Sequence, residues 1–184
     1  MRISFRKLTI KNFKGVKDIT IEFNGTITEI LGANHTGKTT TADAIHWVLF
    51  GKNSDGATVF GIDPKDENNN IIHHLENSVE LVMTADDREL TLQKVRRENW
   101  IKPKSHDEDV LDSHSTDCYI DGDKYTIKDY TAKIAELIPE SMFRAITNPA
   151  YFPSLKADDQ RLLLVKMVGE RSLEEVASES EGSE

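Results

Sequence analysis

A single cysteine, Cys118, rules out an internal disulfide and fits a reducing compartment. No apolar run approaches the ~20 residues that a membrane helix requires, and the N-terminus lacks the apolar core of a secretory signal. A cytoplasmic location with no membrane partner is therefore expected. Basic residues are also scarce: 23 Lys and Arg against 32 Asp and Glu leave a net charge of −9. That balance argues against uniform coating of nucleic acid, although a local basic face is compatible with it. There is no internal repeat and no heptad run long enough for a coiled coil. What remains, 38% hydrophobic and 30% charged over 184 residues, is the composition of a folded domain with a sizeable core.

The most informative stretch is Gly32-Ala33-Asn34-His35-Thr36-Gly37-Lys38-Thr39, which fits the phosphate-loop pattern G-x-x-x-x-G-K-[ST]. Ile27 to Leu31 is rich in β-branched residues and predicts a strand before it. Ala42, Ile45, Val48 and Leu49 recur near helical spacing and predict a helix from Thr39 to Phe50. Strand, loop and helix would gather backbone N–H groups and a positive helix end around one small volume, a natural anion site. Lys38 would reach the β- and γ-phosphates, and the Thr39 hydroxyl would ligate Mg²⁺.

Arg2 to Phe13 predicts a first strand and Asp18 to Phe23 a second, so a β-meander leads into the loop. Gly51 to Ile71 is rich in Gly, Asn and Asp and predicts a long surface loop. Ser78 to Met83 and Glu89 to Val95 predict strands joined by a turn at Asp86-Asp87. Lys94, Arg96, Arg97, Lys102 and Lys104 surround Trp100, a pattern that suits either DNA phosphates with a stacking ring or a solvated face. Ser105 to Thr116 is polar and acidic and predicts a loop. Neither His106, His114 and Cys118 nor His73-His74 has the spacing of a four-ligand metal site. Cys118 to Thr126 predicts a hairpin around Asp121-Gly122. Thr126 and Asp129 form a capping box for a helix through Ile138, which Pro139 ends. Ala157 to Val168 predicts another helix with Gly169 as its stop. Ser172 and Glu175 cap a last short helix, so residues 1–175 form the folded lobe and 176–184 a disordered acidic tail.

Leu8-Thr9-Ile10-Lys11-Asn12-Phe13-Lys14-Gly15, the second strand, Gly32-Ala33-Asn34 and Gly37-Lys38-Thr39-Thr40 together resemble the N-terminal lobe of an ABC-type ATPase head. The resemblance is to the SMC/RecF/SbcC-like family of DNA-repair and chromosome-organising ATPases, including shorter phage members. It implies an α/β P-loop fold, with a mixed β-sheet and an antiparallel side sheet, that binds ATP with Mg²⁺. Residues 32 to 40 would hold the phosphates, and Lys14 would lie near the nucleotide or be an ordinary strand-end lysine. His35 stands where the family commonly has glycine.

Phe143 to Phe152 resembles the family's Q-loop segment without its glutamine. Asn148 offers the same amide groups at shorter reach and would take the metal-linking role, or else serve as a turn residue before Pro149. The strand ending in Asp86-Asp87 superficially resembles a Walker B strand, but its acids fall in a hairpin turn. The family's signature motif, Walker B aspartate, catalytic glutamate and C-x-x-C hook are absent. The resemblance therefore implies half of a head, turning over ATP only with a C-terminal lobe and a second head. It favours a piece of a longer ATPase over a stand-alone lobe. DNA and a nuclease subunit are implied partners of the complete protein. Other readings are a P-loop kinase and a non-catalytic nucleotide switch; a GTPase is disfavoured because D-x-x-G and N-K-x-D are missing.

Overall fold

The computed structural model describes residues 2–24, 27–33, 37–86, 88–103 and 108–168. They form two compact units, one up to Leu137 and one from Ile138 onwards. The first unit contains the strands β1 (Ile3–Phe13), β2 (Val16–Glu22), β3 (Asn77–Ala85), β4 (Arg88–Ile101), β5 (Val110–Ile120) and β6 (Asp123–Tyr125). Its helices are α1 (Lys38–Phe50) and α2 (Ile127–Leu137). The strands make one six-stranded sheet in the order β2-β1-β3-β4-β5-β6, with every pair antiparallel.

Register explains the core. Leu8, Leu81, Leu92 and Ile120 stand in one cross-strand row, and Ile10, Val79, Lys94 and Cys118 in the next. Strand side chains alternate between faces, so both rows project to the same side. All eight are buried, and α1 packs on β1, β3 and β4 and against α2. Each buried branched side chain of this kind contributes roughly 1.5–3 kcal/mol.

The turns follow local chemistry. Ile120 pairs with Asp123 across Asp121 and Gly122, both at positive φ, as a two-residue hairpin demands. Ala85 pairs with Arg88 around Asp86, confirming the expected turn; Asp87 lies outside the described residues. The capping box of α2 is present: the Asp129 N–H donates to Thr126 Oγ1 at 3.1 Å, and that hydroxyl donates to Asp129 Oδ2 at 2.8 Å.

Two expectations are corrected. Residues 27–31 form no strand, and Ile27 and Leu31 are exposed. They have strand-forming side chains but no neighbouring strand among the described residues, and an extended segment without a ladder partner is not held as sheet. The resemblance implied a mixed sheet; the six described strands pair antiparallel throughout. Conversely, residues 110–116 belong to β5 and are not loop, with Ile101 paired to Val110 and Glu98 to His114. Their polar side chains conceal a strand held by backbone bonds to β4.

The second unit contains α3 (Glu140–Thr147), α4 (Tyr151–Ser154) and α5 (Ala157–Val168). Arg144 lies over the Tyr151 ring at 4.3 Å. The predicted bounds of α5 hold; Leu163 is buried, and Leu162, Val165 and Met167 are exposed. Gly169, the Ser172/Glu175 cap and the tail lie outside the described residues.

The buried row contains one charge. Lys94 Nζ donates to the Trp47 carbonyl at 3.0 Å and lies 4.9 Å from the centre of the Tyr130 ring. The Tyr130 hydroxyl donates to the Val48 carbonyl at 2.8 Å. Both side chains thus bond carbonyls in the last turn of α1, where the Trp47 carbonyl also accepts the Gly51 N–H at 2.8 Å. Burial lowers the Lys94 pKa from 10.5 to about 8. Between those values the unfolded chain binds the extra proton, so stability rises with pH. Relative to Lys94→Met, wild type should gain roughly 3 kcal/mol between pH 8 and 10.5, read by chemical denaturation. Burial also raises the Cys118 thiol and Tyr130 phenol, but those groups remain in both proteins and largely cancel in the difference. A flat difference would show that Lys94 is not buried as a cation.

Candidate nucleotide site

Gly37 is the N-cap of α1 at φ 95°. A Cβ there would meet Val16 Cγ2 at 3.1 Å, in a conformation that L residues rarely adopt. Lys38 follows as the first helical residue. Its ammonium turns back to donate to the carbonyls of Gly32 at 2.5 Å and Ala33 at 2.7 Å. The two ends of the loop are therefore tied together, with the cation held over the opening. The first turn of α1 carries no acidic side chain, which leaves its partial positive charge unopposed. Lys38 and Thr39 are exposed and Thr40 is half-buried. Asn34, His35 and Thr36 lie outside the described residues, so the predicted site is visible at its two ends.

Lys14 approaches α1 from the β1–β2 turn. It has φ 53°, and its N–H donates to the Ile62 carbonyl at 2.7 Å. A non-glycine residue in the left-handed region costs roughly 1 kcal/mol, which this bond and an ion pair offset. Lys14 Nζ pairs with Asp43 Oδ2 and lies 5.2 Å from the Phe60 ring centre. Asp43 is buried on α1, and its other oxygen accepts the Ser54 N–H at 2.9 Å and the Ser54 hydroxyl at 2.6 Å. Burial alone would raise the Asp43 carboxyl, but hydrogen bonds from Lys14 and Ser54 hold it below its ordinary value. Thus Lys14 links the β1–β2 turn to the helix that bears the loop. Asp43 and Ser54 were missed from sequence; the signal was an acid between apolar residues of a buried helix.

Asn148 caps the C-terminus of α3, and its Oδ1 accepts the Ala150 N–H at 3.0 Å. It therefore acts as a turn residue, with a second lone pair left on the oxygen. Asp86 is bonded to the start of β1 through the Arg2 N–H, at 2.7 Å. The basic segment is largely neutralised. Arg96 pairs with Asp63, and Arg97 with Glu76 and Asp117 at 2.6 and 2.7 Å. Lys102 is exposed, and Lys104 lies outside the described residues.

A positive-φ glycine at a helix start, followed by a lysine folded back onto upstream carbonyls, is the arrangement that a P-loop nucleotide-binding fold requires at this point. A family model for an AAA domain matches residues 7–181, and the chain belongs to that family.

Among solved structures, it is similar to an SMC ATPase described for ATP-driven dimerization and DNA-stimulated activation. That match has 20% identity and a TM-score of 0.56, covering 89% of this chain and 98% of that one. A second is the Smc head domain of Pyrococcus furiosus with an extended coiled coil, bound to the C-terminal domain of ScpA. Here identity is 20% and the TM-score 0.50, covering 77% of this chain and 35% of that one. A curated relative, chromosome partition protein Smc of Halothermothrix orenii, is 51% identical over 45 residues. Those residues are 24% of this chain and only 4% of the relative. The fold is thus that of the N-terminal lobe of an SMC-like head. No helix among the described residues is long and apolar enough to cross a membrane.

Proposed function

We propose that this chain is the Mg-ATP-binding half of a chromosome-organising or DNA-repair ATPase, hydrolysing ATP only when completed by a C-terminal lobe and a second head. The observation that carries it is Lys38 folded onto the carbonyls of Gly32 and Ala33 at the start of α1. A phosphate oxygen entering the loop would replace a neutral carbonyl with a full negative charge as the ammonium's partner. Gly37 keeps the approach clear, and Thr39 is the hydroxyl that would hold Mg²⁺ beside the phosphates. Bound Mg²⁺ would neutralise charge on the β- and γ-phosphates. Asn148 stays the proposed metal-ligating amide of the Q-loop-like segment, through the lone pair that its bond to the Ala150 N–H leaves.

ATP-driven dimerization is described for the SMC relative, and we carry it to this chain as the reading of its second head. Contact with DNA belongs to the complete protein; Arg96 and Arg97 are already committed to internal acids.

The test is competition binding between ATP and GTP with and without Mg²⁺. The sequence has no N-K-x-D motif to read a guanine base, so ATP should bind at least as tightly as GTP, with Mg²⁺ required for tight binding. A strong GTP preference would place the chain in another P-loop class.

A further inference from the structure

The segment after α1 meets the far half of the β4–β5 hairpin, and an unassigned cluster of ligating side chains forms there. Glu98 of β4 stands opposite His114 of β5. The Glu98 side chain is only 5% exposed. It accepts from His73 Nδ1 at 2.7 Å, the His74 N–H at 2.8 Å and Trp100 Nε1 at 3.0 Å. His74 stacks on Trp100 with ring centres 4.5 Å apart, and His73 meets the same ring edge-on at 5.3 Å. The carboxylate is therefore fixed in place before any ligand arrives. Asp63 is anchored by Arg96, which takes its Oδ1 and leaves Oδ2 free of that contact. Ligand atoms of Asp63, Glu98 and His114 all lie within 4.8 Å of one another.

We propose that Asp63, Glu98 and His114 form a binding site for a divalent first-row transition ion, separate from the nucleotide loop. Two carboxylates and one imidazole are the donor set that Zn²⁺ accepts, with water completing the coordination. Ligand atoms around tetrahedral zinc stand roughly 3.3 Å apart, given metal–ligand distances of about 2.0–2.2 Å. Closing from 4.8 Å asks for about 1.5 Å of movement, which exposed His114 can supply by rotating its side chain. Charge favours the ion: Asp63 and Glu98 bring two negative charges against the single positive charge of Arg96. Bonds from His73, His74 and Trp100 to Glu98 act as the outer shell that holds a ligand in orientation. The cation would also clamp three chain segments that are distant in sequence, stiffening the hairpin.

The experiment titrates the full chain with Zn²⁺ in nucleotide-free buffer against a chromophoric chelator, with Co²⁺ absorption reporting coordination. One ion per chain is expected, together with a rise in Tm. Loss of an outer-shell partner alone costs roughly 10–100-fold in affinity. His114→Ala, at an exposed position, should therefore weaken binding by about 100-fold or more and abolish the Tm rise. Glu98→Gln, which preserves shape, should do the same. Lys38→Ala should bind Zn²⁺ as wild type does, separating this site from the phosphate loop. Unchanged binding in His114→Ala, or an adventitious ion only, shown by stoichiometry above one with no Co²⁺ ligand-field band, would overturn the proposal.

Discussion

Lys38→Ala abolishes detectable Mg-ATP binding while the domain stays folded; this is the expected result of calorimetry on the purified variant. Lys38 is exposed, and its ammonium contacts the two loop carbonyls of Gly32 and Ala33. Alanine is the best helix former, so a first-turn substitution leaves α1 intact. The nucleotide, in contrast, loses a charged partner for its β- and γ-phosphates. Hydrogen bonds to charged groups contribute roughly 1.5–3 kcal/mol each, so losing two weakens binding by about a hundredfold or more. The Gly32 and Ala33 carbonyls are also left facing the phosphates without the cation that masked them. Affinity equal to wild type, in a variant whose circular dichroism and Tm are unchanged, would remove the phosphate-loop assignment.

Much of this site was legible in the sequence because its parts are local. Gly37 is needed where the backbone has φ 95°, and Lys38 follows it directly on the helix. The Thr126–Asp129 cap and the Asp121-Gly122 turn are likewise defined within four residues, and both formed as expected. What stayed hidden depends on pairing across the chain. Residues 27–31 have the side chains of a strand, yet a strand exists only with a neighbour, and among the described residues none pairs with them. Residues 110–116 have loop-like composition, yet they complete a ladder with β4. Reading them as loop also hid the meeting of Glu98 with His114. The third ligand, Asp63, arrives from a segment more than thirty residues from Glu98, which no spacing rule could anticipate. Lys14 shows the same limit: its ion pair is with Asp43, a helix residue with no motif to mark it.

The purified chain should bind Mg-ATP and turn it over negligibly, and addition of the cognate C-terminal lobe should restore hydrolysis. Transfer of a phosphoryl group to water needs a positioned nucleophile and charge stabilisation on all sides of the γ-phosphate. On the proposed reading, Lys38 and the helix end would supply that stabilisation from one side only. The sequence has no match to the family's water-orienting glutamate, and two acids among the described residues show why they do not replace it. Asp43 is buried, with Lys14 on one oxygen and Ser54 on the other, so it is held as an ion-pair partner away from solvent. Asp86 accepts the Arg2 N–H at the start of β1 and belongs to a hairpin turn. Neither stands as a general base at the phosphate loop. A signature motif from an opposing head would close the open side and exclude water other than the attacking one. Phosphate release, measured on the chain alone and then on the mixed lobes, reads this directly. A rise that depends on both lobes and disappears with Lys38→Ala is the expected result. Robust phosphate release from the chain alone, lost in Lys38→Ala, would mean that this lobe carries its own catalytic base.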